Sequence, residues 1–270
     1  MIPPPSKLRE LCQKPNYRNV GNWMARYITR DMAIYVTWLV LHTRWRADTI
    51  ALISLLCGLT SALLISMLSA AAFLTGAILL QCWYLLDHVD GQVARYYQEA
   101  DLTGTFLDFM IHFFVHSSVT FGLGVRMFLV TGKTVWLCMG FLAALAMGGL
   151  SQFNDCKYKA FFARLAQWQG KMVQMRPQEA AKNVTPTAGT KSRLKQGFIF
   201  LYKLTEIHVF MNLLGLAALA ELLGWSGAKV FTWVYAVLLP CVLIVRLVHT
   251  IRTHGIDADF ASRFSLIDSE

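Results

Sequence analysis

Apolar residues run along this chain in long unbroken stretches, not in the short alternating or 3.6-residue patterns of a water-soluble domain. From Ile50 to Leu86 no residue is charged. That is too long for one membrane-crossing helix of about 20 residues and fits two joined by a tight turn, with the break placed near Ser69–Phe73. Further apolar stretches cover roughly 104–129, 134–155, 197–223 and 228–250, which makes six spans. Gly132 with Lys133, and Gly224 to Gly227, supply turns between them. A shorter apolar run, Met32 to His42, cannot span a bilayer. With Trp23, Tyr27, Arg26 and Arg30 before it and Arg44 and Arg46 after it, it reads as an amphipathic helix lying in the membrane interface. A short buried or re-entrant helix is the other reading.

The predicted fold class is therefore all-α: a polytopic membrane protein with six transmembrane helices plus an N-terminal interfacial amphipathic helix. Three regions follow. Residues 1–46 hold the N-terminal segment and interfacial helix, and residues 47–250 the six-helix catalytic domain with a polar loop at about 157–195. Residues 251–270 form a tail. The first half of that loop, from Lys157 to Met172, has helical spacing and extends the fourth span; the second half, Arg176 to Arg193, is loop-like.

Composition agrees with the pattern. Only 15% of the 270 residues are charged, where a soluble domain has about 25%. Yet the formal charge is +9, so basic residues gather in the water-exposed segments. Of the 25 Lys and Arg residues, only Arg126, Lys133 and Lys229 lie near the turns joining spans 1–2, 3–4 and 5–6. By the positive-inside rule the opposite end and both termini face the cytosol, and part of that basic surface suits anionic lipid. The Asn183 to Thr185 sequon then carries no meaning. The N-terminus lacks the apolar core of a signal peptide. The six cysteines form no CxxC pair and read as small buried hydrophobes rather than disulfides or a zinc site. No nucleic-acid partner is expected.

Chemistry concentrates at one place. Asp87, Asp90, Gly91 and Ala94 stand at offsets 0, 3, 4 and 7 and share one face of a helix, with Arg95 next in line. Eight residues later Gly104, Asp108 and His112 repeat the device at i, i+4 and i+8. Carboxylates at the end of a membrane helix are costly unless they are paired or bind cations. Three aspartates on neighbouring helices make a hard oxygen site suited to two ions of Mg²⁺ or Mn²⁺, which clamp a diphosphate during displacement at phosphorus. Gly91, Ala94 and Gly104 leave room for a nucleotide against the backbone, and Arg95 suits phosphate. The alternative is a salt-bridged helix end with small packing residues; seven such residues in a charge-free region argue against it.

At these positions the sequence resembles the CDP-alcohol phosphotransferase family, whose signature is D-x2-D-G-x2-A-R, eight or nine residues, then G-x3-D-x3-D. The match holds at Asp87, Asp90, Gly91, Ala94, Arg95, Gly104 and Asp108. The resemblance implies a membrane enzyme of phospholipid synthesis. It moves a phosphate-linked alcohol from a CDP-linked donor to a hydroxyl acceptor, at least one of them a lipid, and releases CMP. It implies two divalent ions held by Asp87, Asp90 and Asp108, a nucleotide pocket shaped by Gly91, Ala94 and Gly104, phosphate contact by Arg95, and a homodimer.

The family's fourth aspartate, a metal ligand and the acceptor's general base, is His112 here. Three readings stand. His112 is the base, with a reference pKa near 6.5 that nearby cations lower. His112 is a metal ligand, shifting preference from Mg²⁺ toward Mn²⁺ or Zn²⁺. Or turnover is lost, and a catalytically altered relative binds nucleotide or lipid. His116 and His88 read as packed residues, His116 with the option of supporting His112. Gln152, Asn154, Asp155, Lys157, Glu206, His208, Asn212, Arg246 and His249 at the other helix ends line an acceptor or lipid pocket, or are ordinary interfacial residues. A transporter is disfavoured, because the charges cluster at one end of the spans rather than near their midplane.

Overall fold

A computed structural model of the protein describes residues 2–13, 17–19, 21–167, 172–175 and 193–267. The sequon at Asn183, most of the segment from Arg176 to Arg193, and the last three residues lie outside the described residues.

Among the described residues ten helices follow one another. Helix α1 is Pro5–Cys12 and α2 is Arg30–Thr43, the latter preceded by one π-helical turn, Ala25–Thr29. Then come α3 (Ala47–Ser66), α4 (Ala70–Tyr97), α5 (Leu102–Thr131) and α6 (Val135–Ala166). After the partly described connection come α7 (Arg193–Leu204), α8 (Ile207–Leu222), α9 (Gly227–Arg252) and α10 (Gly255–Arg263).

Helices α3, α4, α5, α6 and α9 are each long and apolar enough to cross a membrane. The fifth predicted span is a bent pair. Residues 196–204 and α8 pass the same test together but turn by 65° at a break after Leu204. Thr205 and Glu206 occupy the break. The protein is a multi-pass integral membrane protein, with five helices that meet the test for a span singly and a sixth span if the bent pair counts as one. The apolar run alone could not reveal the bend, because hydropathy is continuous across a helix break.

Helix ends follow local chemistry. Ser69 Oγ accepts the Ala72 amide at 3.3 Å and starts α4 immediately after the turn at 67–69. Asp101 Oδ1 accepts the Gly104 amide at 2.7 Å and starts α5. Each satisfies an N–H that has no partner within its own helix. Gly132, at φ +69°, ends α5 in the left-handed conformation that favours glycine. Inside the bundle, Gly124 and Gly140 let α5 and α6 touch backbone to backbone. A Cβ on Gly124 would lie 2.6 Å from the Gly140 Cα, so small residues set this crossing.

The core is built from Leu80, Trp83, Val115, Val119, Met147, Phe210, Met211, Leu214 and Leu239, all buried. Leu52, Leu56, Leu63, Ile78, Leu142, Leu145 and Ile244 are exposed on the outside of the bundle, as an apolar solvent permits. Helix α2 lies along α4. It buries Ala33, Ile34, Thr37 and Leu41 there and exposes Met32, Tyr35 and Leu39. Both of its faces are therefore largely apolar, which suits a helix held between protein and membrane surface. All six cysteines are free, but only Cys12 is buried, and Cys82, Cys138, Cys156 and Cys241 are exposed. In an apolar solvent a thiol has no reason to hide, which corrects the expectation that the cysteines are buried.

Two features were not legible in the pattern. A two-stranded antiparallel ribbon joins β1 (Met172–Met175) to β2 (Phe264–Ile267), with Met172 opposite Ile267. Beside it, Asp259 accepts from Lys157 Nζ at 2.8 Å and from Arg263 Nε at 3.0 Å. Burial pushes the Asp259 carboxyl up, but these two hydrogen bonds outweigh it and hold its pKa below the usual carboxylate range.

The other feature is at the bundle end remote from the motif. Arg126 is buried and donates to the Met67 carbonyl, and it lies 4.7 Å from the Phe73 ring centroid. Its Nη2 is 3.2 Å from Glu221 Oε1, while Glu221 Oε2 accepts the Ala228 amide at 3.0 Å. One ion pair thus fastens the α3–α4 turn, α5, α8 and the start of α9. Arg126→Met leaves Glu221 without its cation, and losing one partner of a buried pair costs on the order of 3–5 kcal/mol. We expect a clear drop in the thermal stability of the detergent-solubilised protein, partly recovered in Arg126→Met/Glu221→Gln. A double variant no more stable than the single one would show that the charge pairing is not the cause.

Candidate active site

The motif straddles the α4–α5 turn. Helix α4 ends at Gln98, whose left-handed φ of +57° turns the chain, and Asp101 restarts it as α5. The last third of α4 thereby stands beside the first third of α5. The one-face spacing of Asp87, Asp90, Gly91 and Ala94 now has a structural meaning. All four, together with Arg95, Gly104, Asp108 and His112, line one cavity of about 540 Å³. That volume is in the range of small-molecule and cofactor sites.

At the cavity wall, His112 Nε2 lies 2.8 Å from Asp87 Oδ1 and 3.4 Å from Asp108 Oδ1. Among the described residues, Asp87, Asp108 and His112 form the group of three whose ligand atoms all fall within 4.8 Å of one another. Two carboxylate oxygens and one imidazole nitrogen, converging on a polar cavity, fit a divalent cation by donor type. Asp90 lines the same cavity but is not part of that group.

The cluster is braced from behind. Trp83, fully buried, sets its ring edge-on to both His112 and His116, at centroid distances of 5.3 and 5.4 Å. His88 turns back to the Tyr84 carbonyl at 2.9 Å and stays 3.7 Å from Asp87 Oδ2. Tyr84 in turn accepts from Asn22 Nδ2 at 2.8 Å. His88 also lines the cavity.

Several cavity residues carry no local signal in the sequence. Gln92 is buried and links two elements. It accepts from Thr37 Oγ1 at 2.7 Å and donates to the Arg30 carbonyl at 3.3 Å, joining α2 to α4. Gln13 and Arg30 line the cavity from the N-terminal segment, Asp48 and Ala51 from α3, and Glu99 and Asp101 from the α4–α5 turn. Asp101 alone was readable, as a helix-capping aspartate three residues before Gly104. The small residues act differently from the simple expectation of open backbone. A Cβ on Gly91 would meet the Arg95 guanidinium at 3.3 Å, so the space Gly91 leaves is shared with Arg95.

A second cavity of about 240 Å³ opens on the other side of the histidines, at the α7–α8 break. His116, Ser151, Tyr202, Glu206, His208 and Arg246 are among its lining residues. His116 is 5% exposed, and among the described residues neither ring nitrogen has a hydrogen-bond partner. Arg246 is held by Tyr202 Oη and Asn154 Oδ1, each at 3.2 Å, over the Phe153 ring. Asn212 instead packs within the bundle, accepting from Gln81 Nε2 at 3.1 Å and donating to the His208 carbonyl at 2.7 Å. Gln152 bonds the Phe109 carbonyl at 3.1 Å, and Lys157 serves Asp259. The polar helix-end residues therefore divide: Glu206, His208 and Arg246 line a cavity, while Gln152, Asn154, Lys157 and Asn212 bond to other parts of the fold.

Fold and site together define a polytopic helical membrane protein with a carboxylate–imidazole cluster at one end of its spans. Residues 44–167 match the family model described as CDP-alcohol phosphatidyltransferase. The match covers α3 to α6 and the whole motif. That family's transferases move a phosphate-linked alcohol from a CDP-alcohol. No curated protein matches the chain.

Proposed function

We propose that the protein transfers a phosphate-linked alcohol from a CDP-linked donor to a hydroxyl acceptor, releasing CMP, as a step of phospholipid synthesis. The observation that carries the reading is the convergence of Asp87, Asp108 and His112 on a cavity also lined by Gly91, Ala94, Arg95 and Gly104. The acceptor hydroxyl attacks the phosphorus nearest the alcohol. The bond from that phosphorus to the oxygen of CMP breaks, and CMP leaves with the electron pair. Arg95 and the glycine-lined wall bind and orient the diphosphate. Bound at the cluster, Mg²⁺ or Mn²⁺ supplies positive charge to the diphosphate oxygens. Asp90 is available to a second such ion.

His112 is best read as a ligand. A 2.8 Å contact between Nε2 and a carboxylate oxygen means that the two atoms share a proton or a cation. In neither state does Nε2 offer a free lone pair to an acceptor hydroxyl. Asp108, with 48% of its side chain exposed, is then the accessible carboxylate to receive the hydroxyl proton. The distribution of Lys and Arg supports a cytosolic site and cytosolic termini.

The test is release of CMP by purified protein offered a panel of CDP-alcohols and lipid or small-alcohol acceptors with Mg²⁺ or Mn²⁺. CMP formed only when donor, acceptor and metal are all present is the expected result. Silence across the whole panel, with CDP still bound, would instead support a relative that binds without turnover.

A further inference from the structure

The family domain begins at residue 44, yet residues well before it reach the motif. Helix α1 seats Leu8 and Cys12, both fully buried, against Ile34 and Leu41 of α2, with Trp38, Tyr96 and Tyr97 around them. The last carbonyls of a helix lack partners within it and sit at its negative end. One of these, the Cys12 carbonyl, accepts from Nε of Arg95, the motif arginine. That bond uses the inner nitrogen of the guanidinium. The two terminal nitrogens lie toward Gly91, 3.3 and 3.5 Å from where a Cβ on that glycine would stand, on the cavity wall. The next residue, Gln13, donates to the Arg30 carbonyl at 3.1 Å, the same oxygen that Gln92 of α4 reaches at 3.3 Å. Gln13 and Arg30 both line the cavity.

We propose that α1 and Gln13 complete the donor site, with α1 acting as a positioning element that fixes the Arg95 guanidinium so that its outer nitrogens meet the donor's diphosphate. This rests on the CDP-donor reading above. An arginine held through Nε has already lost most of its rotamers before ligand arrives. Its terminal N–H groups are left as the fork that pairs with two phosphate oxygens. Freed from α1, the same side chain must be ordered on binding, a cost that corresponds to roughly three- to tenfold in affinity. Gln13 ties the end of α1 to α2 and α4 through the shared Arg30 carbonyl, which holds Cys12 in place under Arg95.

The experiment uses the full chain, with CDP and Mn²⁺ as the binding probe and CMP release as the activity. Leu8→Asp places a charge in the buried seat of α1; Leu8→Ala is the milder companion should the first not fold. The dissociation constant for CDP and the KM for the CDP-donor are expected to rise about three- to tenfold, with kcat within about twofold. Leu8→Met should restore both. In an Arg95→Ala background, Leu8→Ala should have no further effect on CDP affinity. Unchanged CDP affinity in Leu8→Asp and Leu8→Ala would overturn the proposal. So would an equal loss with and without Arg95, since α1 would then act on the fold alone. Wild-type protein that fails to bind CDP would remove the donor reading and this proposal together, whereas CDP binding indifferent to Leu8 removes only the latter.

Discussion

Asp87→Asn and Asp108→Asn are each expected to abolish CMP release, with losses on the order of a thousandfold or more, and to weaken Mn²⁺ binding in parallel. The size follows from the role. A cation at the diphosphate contributes several kcal/mol of charge stabilisation in the transition state, and each 1.36 kcal/mol is tenfold in rate. Amidation removes the negative charge yet keeps the shape, so the fold is preserved; thermal unfolding of each variant checks this. Asp90→Asn is expected to behave differently. Asp90 lines the cavity but is outside the convergent group of Asp87, Asp108 and His112. It should leave the tighter Mn²⁺ site in calorimetry while lowering turnover. Unaltered Mn²⁺ and CDP affinities in both Asp87→Asn and Asp108→Asn would sink the assignment of the cluster.

The second large effect is at His112. As a ligand, His112→Ala should lower Mn²⁺ affinity and turnover together, and raised Mn²⁺ should recover part of the rate. His112→Asp, which restores a carboxylate, should keep substantial activity and move the preference from Mn²⁺ toward Mg²⁺, because oxygen ligands favour the harder ion. A general base would behave otherwise. His112→Ala would then cost on the order of a hundred- to ten-thousandfold in kcat while Mn²⁺ binding stayed intact. His112→Asp would shift the acidic limb of the pH–rate profile downward, since a carboxyl has a lower reference pKa than imidazole. Full activity in His112→Ala would exclude both roles. The geometry predicts the first pattern, because Nε2 points at two carboxylates rather than into open space.

The sequence by itself determined the long apolar helices, the turns between them and the placing of Asp87 and Asp90 on one helix with Asp108 and His112 on the next. These are local properties. Charge-free runs have to lie in an apolar solvent, and offsets of 3, 4 and 7 place Asp87, Asp90, Gly91 and Ala94 on one side of any helix. Capping by Ser69 and Asp101 is equally local. What only the tertiary structure decided depends on contacts between distant residues. Hydropathy does not register the 65° bend between α7 and α8. The Arg126–Glu221 pair joins positions 95 residues apart, and the ribbon pairs 172–175 with 264–267. Spacing alone treated Asp87, Asp90 and Asp108 alike. Asp108 and His112 meet as i, i+4 neighbours on α5, but only the packed bundle brought Asp87 of α4 to His112 Nε2, leaving Asp90 on the cavity wall. Likewise nothing in the pattern of residues 5–13 points at Arg95, 83 positions from Cys12. A short polar helix gains its place from the two side chains it buries, Leu8 and Cys12, and they identify their partners only once α2 and α4 are packed.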